Sequence, residues 1–517
     1  LFAHAPSDVI SLSTNAFTKF AEQKFNMKIN WVEAPASDYQ AKQALLLQSG
    51  NYPDAFWNGS FSTADILKYS KQGIIKPLSK DMLQKYAPNV WKVLQEDQKL
   101  SSIAQAPDGN YYGLPAYNYC QHCDFSSKLW INTNLLQKFN LQMPTTTDEF
   151  EHVLEVFKQN GLIPMTGAVR TDGWHSDPTP FLMNSFAYNV DTNNANDYLA
   201  LQNGKVTFSA ITPEWKQGLQ YMNRLYKKGL IDPQAFSQKM DNVKKAVAQG
   251  KVGVFAQGNS GGVLDGGTQN KDFGAWRTVA PLKGPGGMHY AAFYGNGFGS
   301  LQFVVTNKAK DEQVAKLLEF INYIYTPEGT ETLDFGPEGK YWTKAKPGDK
   351  GLCGGPALFA TDSDKFYAGD SRQNEGWNQM GPMFQSKEFR CGFVLAVPPF
   401  SPKGLEETLL YETEKNYVGN QPKEVYPNAS WIDPAKTQQY ALASTNINKY
   451  VQQWTVQFIV GDKSIDQNWD EYVKGVQNLG LQDYLDTTQQ AMKKPFDTYV
   501  EYDKPDESIV NFLASLK

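Results

Sequence analysis

An alternation of strand-like and helix-like segments in the first 73 residues constrains this chain more than anything else in it. Apolar residues recur at helical spacing over 15–25 (Phe17, Phe20, Ala21) and over 39–49 (Ala41, Ala44, Leu45, Leu47). Between them 28–33 alternates as a half-buried strand does. The apolar run 51–57 follows the second helix directly. A third helix, 63–71, ends before Gly73, a residue suited to the left-handed turn after a helix. Strand, helix, strand, helix in this order predicts an open α/β sheet. In such sheets ligands sit beyond the carboxyl ends of the strands. That makes His4, Trp57 and Asn58 candidate binding residues.

The stretch 110–139 holds two aromatic runs of strand character, 111–119 and 129–131. Pro115 argues against a central strand position in the first, and Asn132 or Thr133 is a usable N-cap after the second. Here the backbone is expected to pass from one lobe to another, with Tyr117 and Tyr119 facing a cleft or its hinge. The block 129–281 reads as mostly helical. Thr146, Asp148 and Glu149 signal a helix start, and Thr212 with Pro213 another. The strand-like run 162–165 leads into a polar loop with Arg170, Trp174 and His175, and strand 252–255 leads into a turn with Asn259. Sheet character returns around 290–306, where Tyr294 and Asn296 lie in a Gly-rich run. Trp342, Arg372 and Trp377 fall in loop-rich sequence, and helices dominate from 437 on.

A chain of 517 residues is long enough for two or more cores. Its net charge is −5 and no basic run exceeds two residues, which disfavours nucleic acid and an electrostatic membrane patch. No window approaches the ~18 consecutive apolar residues of a membrane span. The start at Leu1, without Met, suggests a processed chain. Aromatics make up 13% of the residues, enough for large cores or for stacking on flat apolar faces such as sugar rings.

Few motifs carry catalytic or metal chemistry. Cys120, His122 and Cys123 suggest zinc, but a structural site needs four ligands and no second pair occurs. Cys120 and Cys123 read as a local disulfide or as free thiols, and Cys353 with Cys391 as a possible pair. There is no G-x-S-x-G and no His-Glu-x-x-His. The loops after strands carry Trp, Tyr, Asn, Gln, His and Arg but few acids, which is recognition chemistry rather than proton transfer. One stretch has the alternating oxygens of a calcium loop: Asn189, Asp191, Asn193, the Ala195 carbonyl and Asp197. It lacks the usual Gly at position 6 and Glu at position 12.

Several segments in order resemble a family. They are Tyr52-Pro53-Asp54, Tyr112-Gly113-Leu114-Pro115, the run from Pro144 to Phe150, Leu225 to Pro233, Pro281 to Pro285, Phe335 to Trp342, Phe458 to Gly461 and Asn468 to Tyr472. The chain resembles the extracellular solute-binding proteins of ABC importers, in the large group that includes the alginate-oligosaccharide binders and Gram-positive lipoproteins. The resemblance implies an α/β, two-lobed, periplasmic-binding-protein-like fold with a cleft between discontinuous lobes and a helix-rich second lobe. The expected lobes are 1–117 with about 290–335, and about 118–289 with about 336–517. It implies a non-catalytic, monomeric protein that closes on an oligosaccharide and delivers it to permease subunits, tethered outside the cell by a lipidated Cys absent from this sequence. It also implies a structural calcium ion at Asn189–Asp197. An anionic sugar would favour Arg170, His175, Lys340 or Arg372 as grips. A secreted carbohydrate-active enzyme and a peptide-binding importer subunit are the alternatives.

Overall fold

The computed structural model describes residues 1–4, 9–35, 38–191, 198–264, 273–293, 301–362, 366, 373–395, 405–426 and 431–492. The chain divides into two compact units, each assembled from separate stretches. Unit 1 comprises Leu1–Cys120, Asn296–Gly404 and Ala429–Pro434, and unit 2 comprises Gln121–Gly295, Leu405–Asn428 and Ala435–Lys517.

Unit 1 is built on a five-stranded sheet in the order Val32–Ala34, Phe2–His4, Ala55–Phe61, Leu301–Val305, Leu114–Pro115. The first three strands are parallel, as the strand–helix alternation predicts. Leu301–Val305 runs antiparallel to both its neighbours. Leu114–Pro115 is an edge strand, where a residue without an N–H costs no ladder bond. Two of the flanking helices start on a side-chain cap. The Asn15 side chain accepts from Phe17 N ahead of Ala16–Lys24, and Ser62 and Asp65 form a capping box ahead of Thr63–Lys71. Between sheet and helices lies an aromatic core. Trp57 stacks on Phe320 at 5.6 Å and meets Trp377 edge-on at 5.5 Å.

Residues 336–404 belong to unit 1, not to the second lobe where the sequence reading put them. Strand Phe384–Gln385 pairs in parallel with Tyr117–Asn118. Trp377, Met380 and Met383 are buried in the unit 1 core. Loop-rich sequence has no period from which to read which core its apolar residues enter, so this assignment had to come from packing.

Unit 2 holds a four-stranded sheet in the order Trp276–Thr278, Leu129–Asn132, Val252–Ala256, Ile163–Thr166. Val252–Ala256 and Ile163–Thr166 are parallel, so their carboxyl ends and following loops emerge on the same side. Thr146 and Glu149 form the expected capping box of helix Thr147–Gln159. Thr212 caps Pro213–Lys227, with Pro213 at the first turn, where it has no bond to lose. Helices Thr437–Val460, Ile465–Asn478 and Leu481–Ala491 complete the unit, and Trp215, Trp454 and Tyr472 anchor its core. Among the described residues no helix is long and apolar enough to cross a membrane.

Cys353 is bonded to Cys391. None of the four cysteines is free and both Cys120 and Cys123 are disulfide-bonded, so these two pair with each other. Their sulfurs lie near His122, but a disulfide offers no thiolate, and the cluster cannot serve as a zinc site in this state.

Candidate functional site

In unit 1 the strand Ala55–Phe61 ends in a hollow of about 590 Å³. Asn58 and Phe61 from the strand, Gln40 and Gln43 from helix Tyr39–Ser49, Asp65 and Tyr69 from helix Thr63–Lys71, and Gln302 line it. The local backbone explains how they converge. Asn58 sits at φ 56°, a left-handed conformation that Asn tolerates. A Cβ on Gly59 would lie 2.9 Å from Phe61 ring carbons, so only glycine lets that ring fold back against the strand. Asp65 Oδ2 accepts from Ser62 N at 3.1 Å and Ser62 Oγ at 2.6 Å. Its Oδ1 makes no hydrogen bond among the described residues. Amides, a carboxylate and two rings around one hollow can donate to, accept from and stack on a polyhydroxylated ligand.

In unit 2 the loops after the two parallel strands meet. Gly258 N donates to Trp174 O at 2.7 Å. A Cβ on Gly258 would lie 2.2 Å from a Trp174 ring carbon. The half-buried Trp174 thus lies directly on backbone. Beneath it Lys128 is buried, its Nζ donating to His122 O at 2.7 Å and lying 5.4 Å from the Trp174 ring centroid. Desolvation holds the Lys128 ammonium well below its ordinary range. The Asn259 side chain accepts from Gly262 N at 2.8 Å and shapes the turn.

Arg170 and His175, expected as ligand contacts, converge instead on Asp191. Arg170 Nη2 lies 3.1 Å from Oδ1, and His175 Nδ1 lies 2.9 Å from Oδ2. Burial works against the Asp191 charge, but His175 and Arg170, with a hydrogen bond from Ser127, hold its carboxyl below the usual range. Asp177 shows the opposite balance: burial raises its carboxyl and the field of Arg170 only partly offsets this.

Of the residues predicted to hold calcium, Asn189 and Asp191 are described. Asp191 Oδ1 is buried, makes no hydrogen bond among the described residues and lies 3.1 Å from Arg170 Nη2, Oδ2 lies 2.9 Å from His175 Nδ1, and the Asn189 side-chain oxygen accepts from Asp191 N at 3.2 Å. Asn193, Ala195 and Asp197 lie outside the described residues.

Of the other predicted ligand contacts, Trp57, Trp342 and Trp377 are core residues. All three are buried, and their indole N–H groups donate inward, to Met380 O, Gly336 O and Thr18 Oγ1. A buried indole with a satisfied N–H has no face left for a ligand. Tyr117 stacks on Phe384 at 5.2 Å, and Tyr119 N donates to Gln385 O at 2.7 Å; both are half-buried. His4 ends strand Phe2–His4. Tyr294, Asn296 and Arg372 lie outside the described residues. Sequence reasoning missed Gln40, Gln43, Asp65, Tyr69 and Gln302. Asp65 reads in sequence only as a helix-capping acid, and the two glutamines fall on a helix whose apolar stripe drew attention to its other face.

The sequence profile of bacterial extracellular solute-binding proteins matches residues 11–331. A protein of Streptococcus pneumoniae serotype 4 named fructooligosaccharide ABC transporter substrate-binding protein is 27% identical over 488 residues, which span 90% of this chain and 84% of that one. The lipoprotein LipO of Bacillus subtilis is 25% identical over 66% of this chain and 65% of its own. The structure of the S. pneumoniae protein with kestose superposes with a TM-score of 0.76 at 23% identity, covering 95% of this chain and 97% of that one, which shows a shared fold. Another structure of that protein is described as an EF-hand mutant.

Proposed function

Because the chain belongs to the bacterial extracellular solute-binding proteins, we propose that it is the binding subunit of an ABC importer, without catalytic activity, that captures an extracellular oligosaccharide and hands it to a membrane permease. The observation that carries this reading is the match along 90% of the chain to a relative named for fructooligosaccharide transport. The chemistry of the unit 1 hollow supports it, because amides, a carboxylate and aromatic rings are the groups that read hydroxyls and apolar sugar faces. Asn58 in unit 1, and Trp174 with Asn259 in unit 2, are the predicted contacts that we retain. Capture works as a population shift: the ligand binds a closed state more tightly than an open one and draws the equilibrium toward it. A lipid anchor tethers the protein outside the cell, a reading supported by the lipoprotein relative, and it acts as a monomer.

Calorimetric titration with a panel of oligosaccharides tests the proposal. Saturable binding of at least one glycan, recovered intact after long incubation, is the expected result. Silence across the panel with tight binding of a peptide would refute the ligand class, and turnover lost with one acid substitution would refute the non-catalytic reading.

A further inference from the structure

We infer that the ligand is an uncharged oligosaccharide and that uronic-acid oligomers are rejected; this rests on the oligosaccharide reading above and deepens it. The argument is one of charge at named positions. Three of the side chains that suit a sugar carboxylate already face protein acids. Arg170 and His175 both face Asp191. Lys340 Nζ lies 2.6 Å from Glu375 Oε1. The fourth, Arg372, lies outside the described residues. A uronate that recruited Arg170 would have to take from the buried Asp191 one of its two partners, an unfavourable exchange.

The hollow in unit 1 points the same way from an independent set of residues. Its lining carries amides, hydroxyls and rings, and Asp65 is its one charged side chain among the described residues. The nearest lysine on that helix, Lys68, lies against the Tyr69 ring at 4.9 Å and is not part of the lining. The Asp65 Oδ1 is well placed to accept sugar hydroxyls. The same carboxylate repels a second one brought into a partly desolvated hollow. At a separation of ~6 Å and an effective dielectric constant of ~20 the repulsion corresponds to roughly 100-fold in affinity. The lowered basicity of Lys128 agrees, since a buried ammonium capped by a carbonyl and a ring is a poor grip for an acid.

The test is titration calorimetry with neutral fructo-, gluco-, galacto- and xylo-oligosaccharides of three to five units, beside oligogalacturonate and oligoguluronate of equal length. We expect the best neutral ligand to bind at least ~100-fold more tightly than either uronate, with an affinity that does not change between low and high salt. A uronate that outcompetes every neutral glycan overturns this inference and leaves the oligosaccharide reading intact. Failure of both classes overturns the oligosaccharide reading itself. Asp65→Asn is expected to narrow the neutral-to-uronate ratio about 100-fold. Gln40→Lys, at an exposed rim position where folding is not at stake, is expected to narrow it too. Ratios unchanged in both variants would show that the hollow does not set the charge preference.

Discussion

Asp191→Asn is the substitution that most directly tests how unit 2 is held together. The change keeps shape and removes charge. In the native protein the buried carboxylate compensates Arg170 at 3.1 Å and His175 at 2.9 Å. Removing one member of a buried ion pair costs ~3–5 kcal/mol when the partner is fully enclosed. The Arg170 side chain is 16% exposed and keeps a second acid, Asp177, in its field, so the lower end applies, about 3 kcal/mol. For a unit of this size that is a fall of roughly 5–10 °C in melting temperature. The pH dependence has a definite sign. The Asp191 carboxyl is held below its unfolded value, so its contribution is fully present above the unfolded pKa of ~3.9. It is lost as pH falls through the lower, folded value. The variant should therefore be less stable at pH 7 and converge on the wild type in acid. Melting followed by tryptophan fluorescence, at pH 7 and near pH 3, with and without a calcium chelator, reads all of this. Chelator should leave the wild-type curve unmoved. A wild type that melts lower in chelator, with an Asn variant that no longer responds, would show that Asp191 is a calcium ligand and that the ion-pair reasoning is wrong.

Three further outcomes follow from the same structure. Cys353→Ser should cost about 3–4 kcal/mol, because the bond closes a loop with a sequence separation of 38, and reductant, which also opens Cys120–Cys123, should cost the wild type at least as much. Burial pushes the Asp334 carboxyl up to about 7, so the folded state holds that proton more tightly than the unfolded chain does. Wild-type stability should thus rise as pH falls from 7 toward 4, by up to about 4 kcal/mol from this group; Asp334→Asn should remove that slope in denaturation curves at pH 5 and 8, and an unaltered slope would rule the assignment out. Gly258→Ala drives a methyl group into Trp174 and should weaken glycan binding about tenfold by calorimetry, whereas wild-type affinity would remove Trp174 from the site.

Much of the architecture was readable before any coordinates. The parallel strands of unit 1 follow from the alternation of periods over 2–71, and two capped helices follow from the signals at Thr146 and Thr212. Pro115 announced an edge strand. The expected strand at 28–33 shrank to Val32–Ala34, because alternation shows which face a residue takes but not whether a neighbour is there to pair with it. The site was legible only in part. Aromatic loop residues looked like sugar platforms, yet Trp57, Trp342 and Trp377 point inward, and only packing distinguishes a platform from a core ring. The metal-ligand reading of Asp191 rests on spacing, which is local information. Its partners Arg170 and His175 arrive from a preceding loop, and that convergence is set by the tertiary fold.

The interleaving of the two units has a consequence for the order of synthesis. As the chain emerges from its amino end, the strand Ala55–Phe61 appears long before Leu301–Val305, the partner that separates it from Leu114–Pro115 in the finished sheet. The opening 120 residues therefore hold three parallel strands with one flank unpaired until the greater part of the chain has been made. An unpaired apolar strand edge invites wrong partners. Closing it requires bringing together segments more than 200 residues apart, which makes folding slow. A nascent chain of this design depends on being kept unfolded until it is whole, a condition that suits a protein carried across a membrane before it folds.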